Sequence, residues 1–180
     1  MPTLLGVEML RKDFTVVFGA LKEGFHDFKY QLNDDFFALI EQDLIHKGEI
    51  SVLLNLERSE RYMTCDFTLT GWAMKTCDVC LSDLKYPVKS VQSLHIKITD
   101  KAIEDEPDLI SLASNAYELD LTNHLFDYIV LSLPMKLECK DSLNRKACDD
   151  KVLEMLSNSE GETDNSNHPE WQKLKEIFKN

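Results

Sequence analysis

Four of the five cysteines fall into two pairs whose spacing suits metal chemistry. Cys77 and Cys80, in Cys77-Asp-Val-Cys80, are separated by two residues, which lets one tight turn aim two thiolates at a single tetrahedral ion. Cys139 and Cys148 could supply the other two ligands, and four sulfurs would close a structural Zn2+ site. The opposing reading is that Cys77 and Cys80 are free thiols in a turn and that Cys139 and Cys148 are incidental. A thioredoxin-like thiol redox enzyme using Cys77 and Cys80 is the enzymatic rival. That chemistry needs the first cysteine at a helix N-terminus, where the dipole lowers its pKa. Here residues 81–87 lead into another strand, and Asp78 sits inside the motif.

Among the histidines, His95 in a strand and His124 on a helix have no partner at ligand spacing, though either could replace a cysteine ligand absent from the site; His26 and His46 flank elements and His168 lies in the linker. No Ser/His/Asp order, phosphate-binding glycine loop or H-E-x-x-H pattern is present. The expectation is a non-enzyme with no small-molecule substrate.

The charge around the cysteines differs from that of the rest of the chain. The 180 residues carry a formal net charge of −12, which argues against a protein that coats nucleic acid by bulk electrostatics. Residues 75–97 contain Lys75, Lys85, Lys89 and Lys97 against Asp78 and Asp83, and residues 136–147 contain Lys136, Lys140, Arg145 and Lys146 against Glu138 and Asp141. Each segment is formally +2, leaving −16 on the remainder. A metal joining the two segments would set a small basic face, able to touch RNA or a partner, on an acidic body. The alternative is ordinary solvated lysines on edge strands, which also discourage aggregation. The acidic body itself suits rapid association with a basic protein.

These residues must be positioned by the elements around them. Phe-rich residues 14–18 and 24–32 read as strands with a turn between them. Asn33 precedes the apolar Phe36 to Ile40 cluster and predicts a short helix reaching about His46. Residues 49–56 alternate at period two (Ile50, Val52, Leu54, Leu56), a polar turn follows at 58–61, and 62–72 return. In that returning strand Cys65, Phe67 and Leu69 share one face, so Cys65 reads as a small buried hydrophobe and not a fifth ligand. The cysteine turn leads into a long alternating strand at 86–98. An acidic loop spans 100–108. A helix is predicted over 120–131 with Asp120 as N-cap and Leu121, Leu125, Tyr128 and Ile129 on one face; Pro134 follows it.

Residues 152–156 make a short helical fragment, 157–168 an acidic flexible linker and 169–180 a C-terminal amphipathic helix. In the last of these Trp171, Leu174, Ile177 and Phe178 form a stripe that would dock on the same domain or on a partner. The fold class is α+β: an antiparallel meander or partly closed β-barrel-like sheet, a few helices and a cysteine knuckle, with residues 1–156 as the main domain. No stretch is long and apolar enough to span a bilayer, and the N-terminus lacks signal-peptide features, so a cytoplasmic location and reduced thiols are expected.

The order of landmarks is also informative. Gly-Ala-Leu-Lys-Glu-Gly-Phe-His at 19–26 is followed by Thr-Cys-Asp-Val-Cys-Leu at 76–81 and Tyr-Pro-Val at 86–88. Tyr-Glu-Leu-Asp-Leu at 117–121, Ile-Val-Leu-Ser-Leu-Pro-Met at 129–135 and Pro-Glu-Trp-Gln-Lys-Leu at 169–174 complete the set. Together these resemble the YceD family of large ribosomal RNA subunit accumulation proteins, in its Bacteroidetes-like form, over nearly the whole chain. The resemblance implies a non-catalytic role in ribosome biogenesis, with ribosomal RNA or a basic ribosomal or assembly protein as partner; beside the thiol redox enzyme, the alternative is a zinc-stabilised adaptor unrelated to ribosomes. The chain departs from many relatives in having Val79 where they carry an arginine inside C-x-x-C. It also has only Cys139 and Cys148 where they have a denser cysteine cluster.

Overall fold

The computed structural model describes residues 11–40, 42, 44–100 and 108–159. Its frame is an open five-stranded sheet in the order β2 (Gly24–Leu32), β3 (Lys47–Arg58), β4 (Tyr62–Thr76), β5 (Asp83–Ile98) and β6 (Leu109–Leu112). β2 to β5 run as an antiparallel meander, and β6 adds parallel to β5 with His95 opposite Leu109. The meander reading holds; the sheet does not close into a barrel.

Period-two alternation decides which face is covered. Val52 pairs with Leu69, Leu54 with Phe67 and Leu56 with Cys65, and Cys65 in turn faces Leu94; all are buried. Burying such a row removes apolar area from water at about 25 cal/mol per Å². Cys65 is therefore part of the sheet core, as its strand position predicts, and burial pushes its thiol up to about 12. Gly71 lies where β3 crosses closely, and a side chain there would fall on the Glu49 carbonyl oxygen.

The covering layer is formed by α1 (Asp34–Ala38) and α2 (Thr122–Leu131) together with a small second sheet. In that sheet β1 (Thr15–Val16) pairs antiparallel with β7 (Leu119–Asp120). The expected strand at 14–18 thus shrinks to two residues and finds its partner about a hundred positions away, not in β2. Phe18 opens a 3-10 turn and is buried.

The predicted helix from Asn33 stops at Ala38 instead of near His46. Asn33 caps it, with Oδ1 accepting from Phe36 N at 3.3 Å. Gln42 then takes over the local backbone: its Oε1 accepts from Leu44 N and Ile45 N, and its Nε2 donates to Ile45 O at 2.6 Å. Ile45 is fully buried there.

α2 begins two residues later than the pattern predicts, because Asp120 is held in β7. Its carboxylate still serves the helix start, accepting from Thr122 N at 2.8 Å and Thr122 Oγ1 at 2.6 Å. Leu121, Leu125, Tyr128 and Ile129 face the sheet as expected. The last described helix, α3 (Asp150–Ser159), extends past the expected fragment at 152–156, so the first residues assigned to the linker are helical. Most of the acidic loop, the rest of the linker and the C-terminal stripe of Trp171, Leu174 and Phe178 lie outside the described residues. No described helix is long and apolar enough to cross a membrane.

Candidate metal centre

β4 and β5 remain paired up to Thr76 and Asp83, so residues 77–82 cap the end of the longest hairpin in the sheet. Cys77 N donates to Ser82 O at 2.8 Å and Leu81 N to Cys77 O at 3.0 Å, which folds the segment into a knuckle. Leu81 takes the left-handed backbone conformation (φ 58°) at its exit. Val79 N points at Cys77 Sγ, 3.4 Å away, as a donor to a thiolate would.

The second segment is tied to the first by hydrogen bonds that need no metal. Asp78 N donates to Leu137 O at 2.9 Å, and Leu137 N donates to Asp78 Oδ2 at 2.6 Å. Further on, Leu143 N donates to Lys85 O at 2.8 Å. Between these ties Cys139 opens a 3-10 turn framed by a capping box, in which Glu138 and Asp141 each accept from the other's backbone N–H. The buried Ser142 donates Oγ to Cys139 O at 2.7 Å. Asp149 caps the start of α3 through Lys151 N, fixing the residue next to Cys148. In sequence Asp78 reads as an acid that offsets the nearby lysines and disfavours redox chemistry; its role as the tie to Leu137 has no sequence signature.

The result is that Cys77, Cys80, Cys139 and Cys148 place their four Sγ atoms within 4.8 Å of one another. Cys77 and Cys148 are 3.8 Å apart, and Cys80 and Cys139 are 3.3 Å apart. A tetrahedron of sulfurs about 2.3 Å from zinc has edges of about 3.8 Å, so the set has the size and chemistry of a four-thiolate site. The four cysteines could hold a metal ion. Neither His95 nor His124 belongs to the group: His95 lies against Thr64 on the open sheet face, and His124 stacks toward Tyr128 on α2.

Hydrogen bonding and burial set the ionisation of Cys80 and Cys139. Ser82, through its hydroxyl and backbone, and then Cys139 stabilise the Cys80 thiolate and bring it down to about 6. At Cys139 the Ser82 hydroxyl also favours the thiolate, but burial and the hydrogen bonds to Cys80, Cys148 and Cys77 prevail and raise it to about 12. A thiolate is thus favoured at Cys80 and disfavoured at Cys139.

The basic residues are less available than their number suggests. Lys136 and Lys140 both grip Glu138, at 3.0 and 2.8 Å. Hydrogen bonds from Lys140 and Lys136 hold the Glu138 carboxyl down at about 2. The Lys85 ammonium lies over the Trp72 ring, 3.7 Å from its centroid. Among the described residues no ion pair involves Lys75, Lys89, Arg145 or Lys146.

No curated protein and no solved structure is a significant match to the chain. A family model described as large ribosomal RNA subunit accumulation protein YceD matches residues 65–178, a stretch that contains all four clustered cysteines.

Proposed function

The chain belongs to the YceD family, and we propose that it is a non-catalytic factor supporting large-subunit ribosomal RNA accumulation, with a zinc-held clasp presenting its binding surface. The observation that carries this reading is the convergence of four sulfurs from two segments about sixty residues apart, inside the stretch the family shares. Cys77, Cys80, Cys139 and Cys148 would hold Zn2+, and the ion would supply cross-linking and charge compensation. The chain's own contribution is the Asp78–Leu137 tie, the Ser82 hydroxyl and the Val79 amide, which orient the thiolates.

Burial speaks against thiol redox catalysis. Cys77, which would be the attacking residue, is fully buried, and its turn leads into a strand with no helix to stabilise a thiolate. The lowered Cys80 thiol fits either chemistry, but a redox pair needs two sulfurs and this site gathers four.

The clasp segments also carry exposed Leu81, Met135 and Leu143, so the surface beside the lysines is partly apolar, as protein-binding patches are. A zinc tetrathiolate is itself formally −2, and the neighbouring lysines offset it. Ribosomal RNA or a basic ribosomal or assembly protein is the partner. Sucrose-gradient profiles of a deletion strain should show a lowered ratio of large to small subunits, and a normal ratio would contradict the reading. Pulldowns with and without nuclease then separate the partners, since a protein contact survives RNA removal. Direct phosphate binding instead weakens steeply with salt.

A further inference from the structure

β2 is the outermost strand of the five-stranded sheet, and the side turned away from β3 is an edge. All nine of its residues pair with β3, from Gly24 opposite Arg58 to Leu32 opposite Ile50. Among the described residues no backbone hydrogen bond reaches it from any other segment. An antiparallel strand turns its backbone N–H and C=O groups alternately to its two sides, so a row of them lies along this edge. Beside its last third a cleft of about 230 Å³ is lined by Lys29, Tyr30 and Gln31 together with Phe14 and Phe36.

Proteins blunt such edges with brevity, proline, a bulge or repelling charge. β2 is nine residues long, contains no proline and pairs without interruption. Its formal charges are Asp27 and Lys29, opposite in sign and both exposed on the uncovered face of the sheet. Within the sheet they face only Asn55 and Leu53, and among the described residues neither has an ion-pair partner. A lone lysine would repel a second copy of the same edge. Asp27, two positions away, makes the edge self-complementary instead.

Two-fold symmetry restricts the register. Residues directly opposite in an antiparallel pair share a face, so the axis must pass through a residue position. Only an axis at Phe28, the middle of the strand, pairs all nine residues. That register sets Asp27 against the partner's Lys29, and Lys29 against the partner's Asp27. On the covered face it sets His26 against the partner's Tyr30 and Phe28 against its own copy. These three rings are half-buried, and Phe28 and Tyr30 already pack on the core, so pairing covers what each leaves exposed. Moving the axis by one residue shortens the overlap and sets Asp27 against Asp27 or Lys29 against Lys29. The longest backbone ladder is therefore also the one with matched charges and matched rings.

We propose that two copies of this chain associate through β2, antiparallel about a two-fold axis at Phe28, so that their sheets become continuous. The contact depends on neither the ribosomal reading nor the metal.

The test is sedimentation equilibrium of the full-length protein. At about 0.15 M salt a Debye length of about 8 Å screens the net charge of −12 on each copy while leaving contact pairs in place. A monomer–dimer equilibrium with a dissociation constant in roughly the micromolar range is expected. Asp27→Lys alone, or Lys29→Asp alone, sets like charges opposite each other twice per dimer and should weaken association at least about tenfold. The double variant Asp27→Lys with Lys29→Asp restores opposite charges and should return the constant to within about threefold of the original. Both side chains are exposed, so the melting temperature of the dilute monomer should not move. Amide exchange at alternate β2 residues should slow as protein concentration rises. A monomer throughout, a dimer indifferent to the single variants, or a double variant as weak as the singles would each overturn the proposal. So would β2 edge amides already protected in the dilute monomer, which would assign the edge to a segment of the same chain.

Discussion

The sheet core and the cysteine clasp are built from overlapping residue types, yet they depend on different physics. The core joins buried side chains from β3, β4, β5, α1, α2 and the small sheet, with Phe67, Leu54, Ile96 and Ile129 nearly or wholly inaccessible. Around the clasp the buried apolar set among the described residues is only Cys77, Leu84, Leu137 and Cys139. The first has a large apolar area to order its chain; the second has far less, and in the proposed reading a metal cross-link makes up the difference. Cysteine itself shows the difference. Cys65 sits among Leu56, Phe67 and Leu94 and behaves as a hydrophobe, whereas Cys77 and Cys139, equally hidden, face other sulfurs.

The sharpest way to break this comparison is Cys77→Ser. Metal content should fall to background, and amide-exchange protection should be lost over 77–82 and 137–149 while β3 and β4 stay protected. Global unfolding would show that the two regions are not separable. Phe67→Ala attacks the other side and should cost about 3–5 kcal/mol in denaturant unfolding, with or without chelator. Cys65→Ser places a hydroxyl in the apolar layer and should cost about 1–3 kcal/mol with metal content unchanged. A loss of metal in that variant would erase the distinction between the cysteines.

Asp78→Ala removes the acceptor for Leu137 N and should cost about 1 kcal/mol, measured as weaker zinc retention against a competing chelator. The smallest effect belongs to Glu138, whose carboxyl is held down at about 2 against 4.5. A depressed carboxyl stabilises the fold above its unfolded pKa, and that contribution fades as pH falls from 4.5 through 2. Glu138→Gln should abolish this acid-limb dependence and release Lys136 and Lys140, steepening the salt dependence of any RNA binding.

Much of the frame was legible because period-two alternation reports burial directly. Ile50, Val52, Leu54 and Leu56, then Cys65, Phe67 and Leu69, place themselves on the covered face without reference to any neighbour. Partnership across long separations was not legible. Nothing in Thr15–Val16 announces Leu119–Asp120, and the parallel addition of β6 leaves no periodicity in four residues. The cysteine set was readable from its spacing and the chemistry of thiolates. The Asp78–Leu137 tie was not, since one acid and one backbone amide have no pattern in sequence.

The central claim is that a metal organises the clasp, and the most direct measurement is zinc stoichiometry combined with zinc-edge X-ray absorption on the purified full-length protein. About one zinc per chain with four sulfurs at about 2.3 Å is the expected result. Substoichiometric zinc in protein prepared without chelators, or a shell containing oxygen in place of one or more sulfurs, would contradict it.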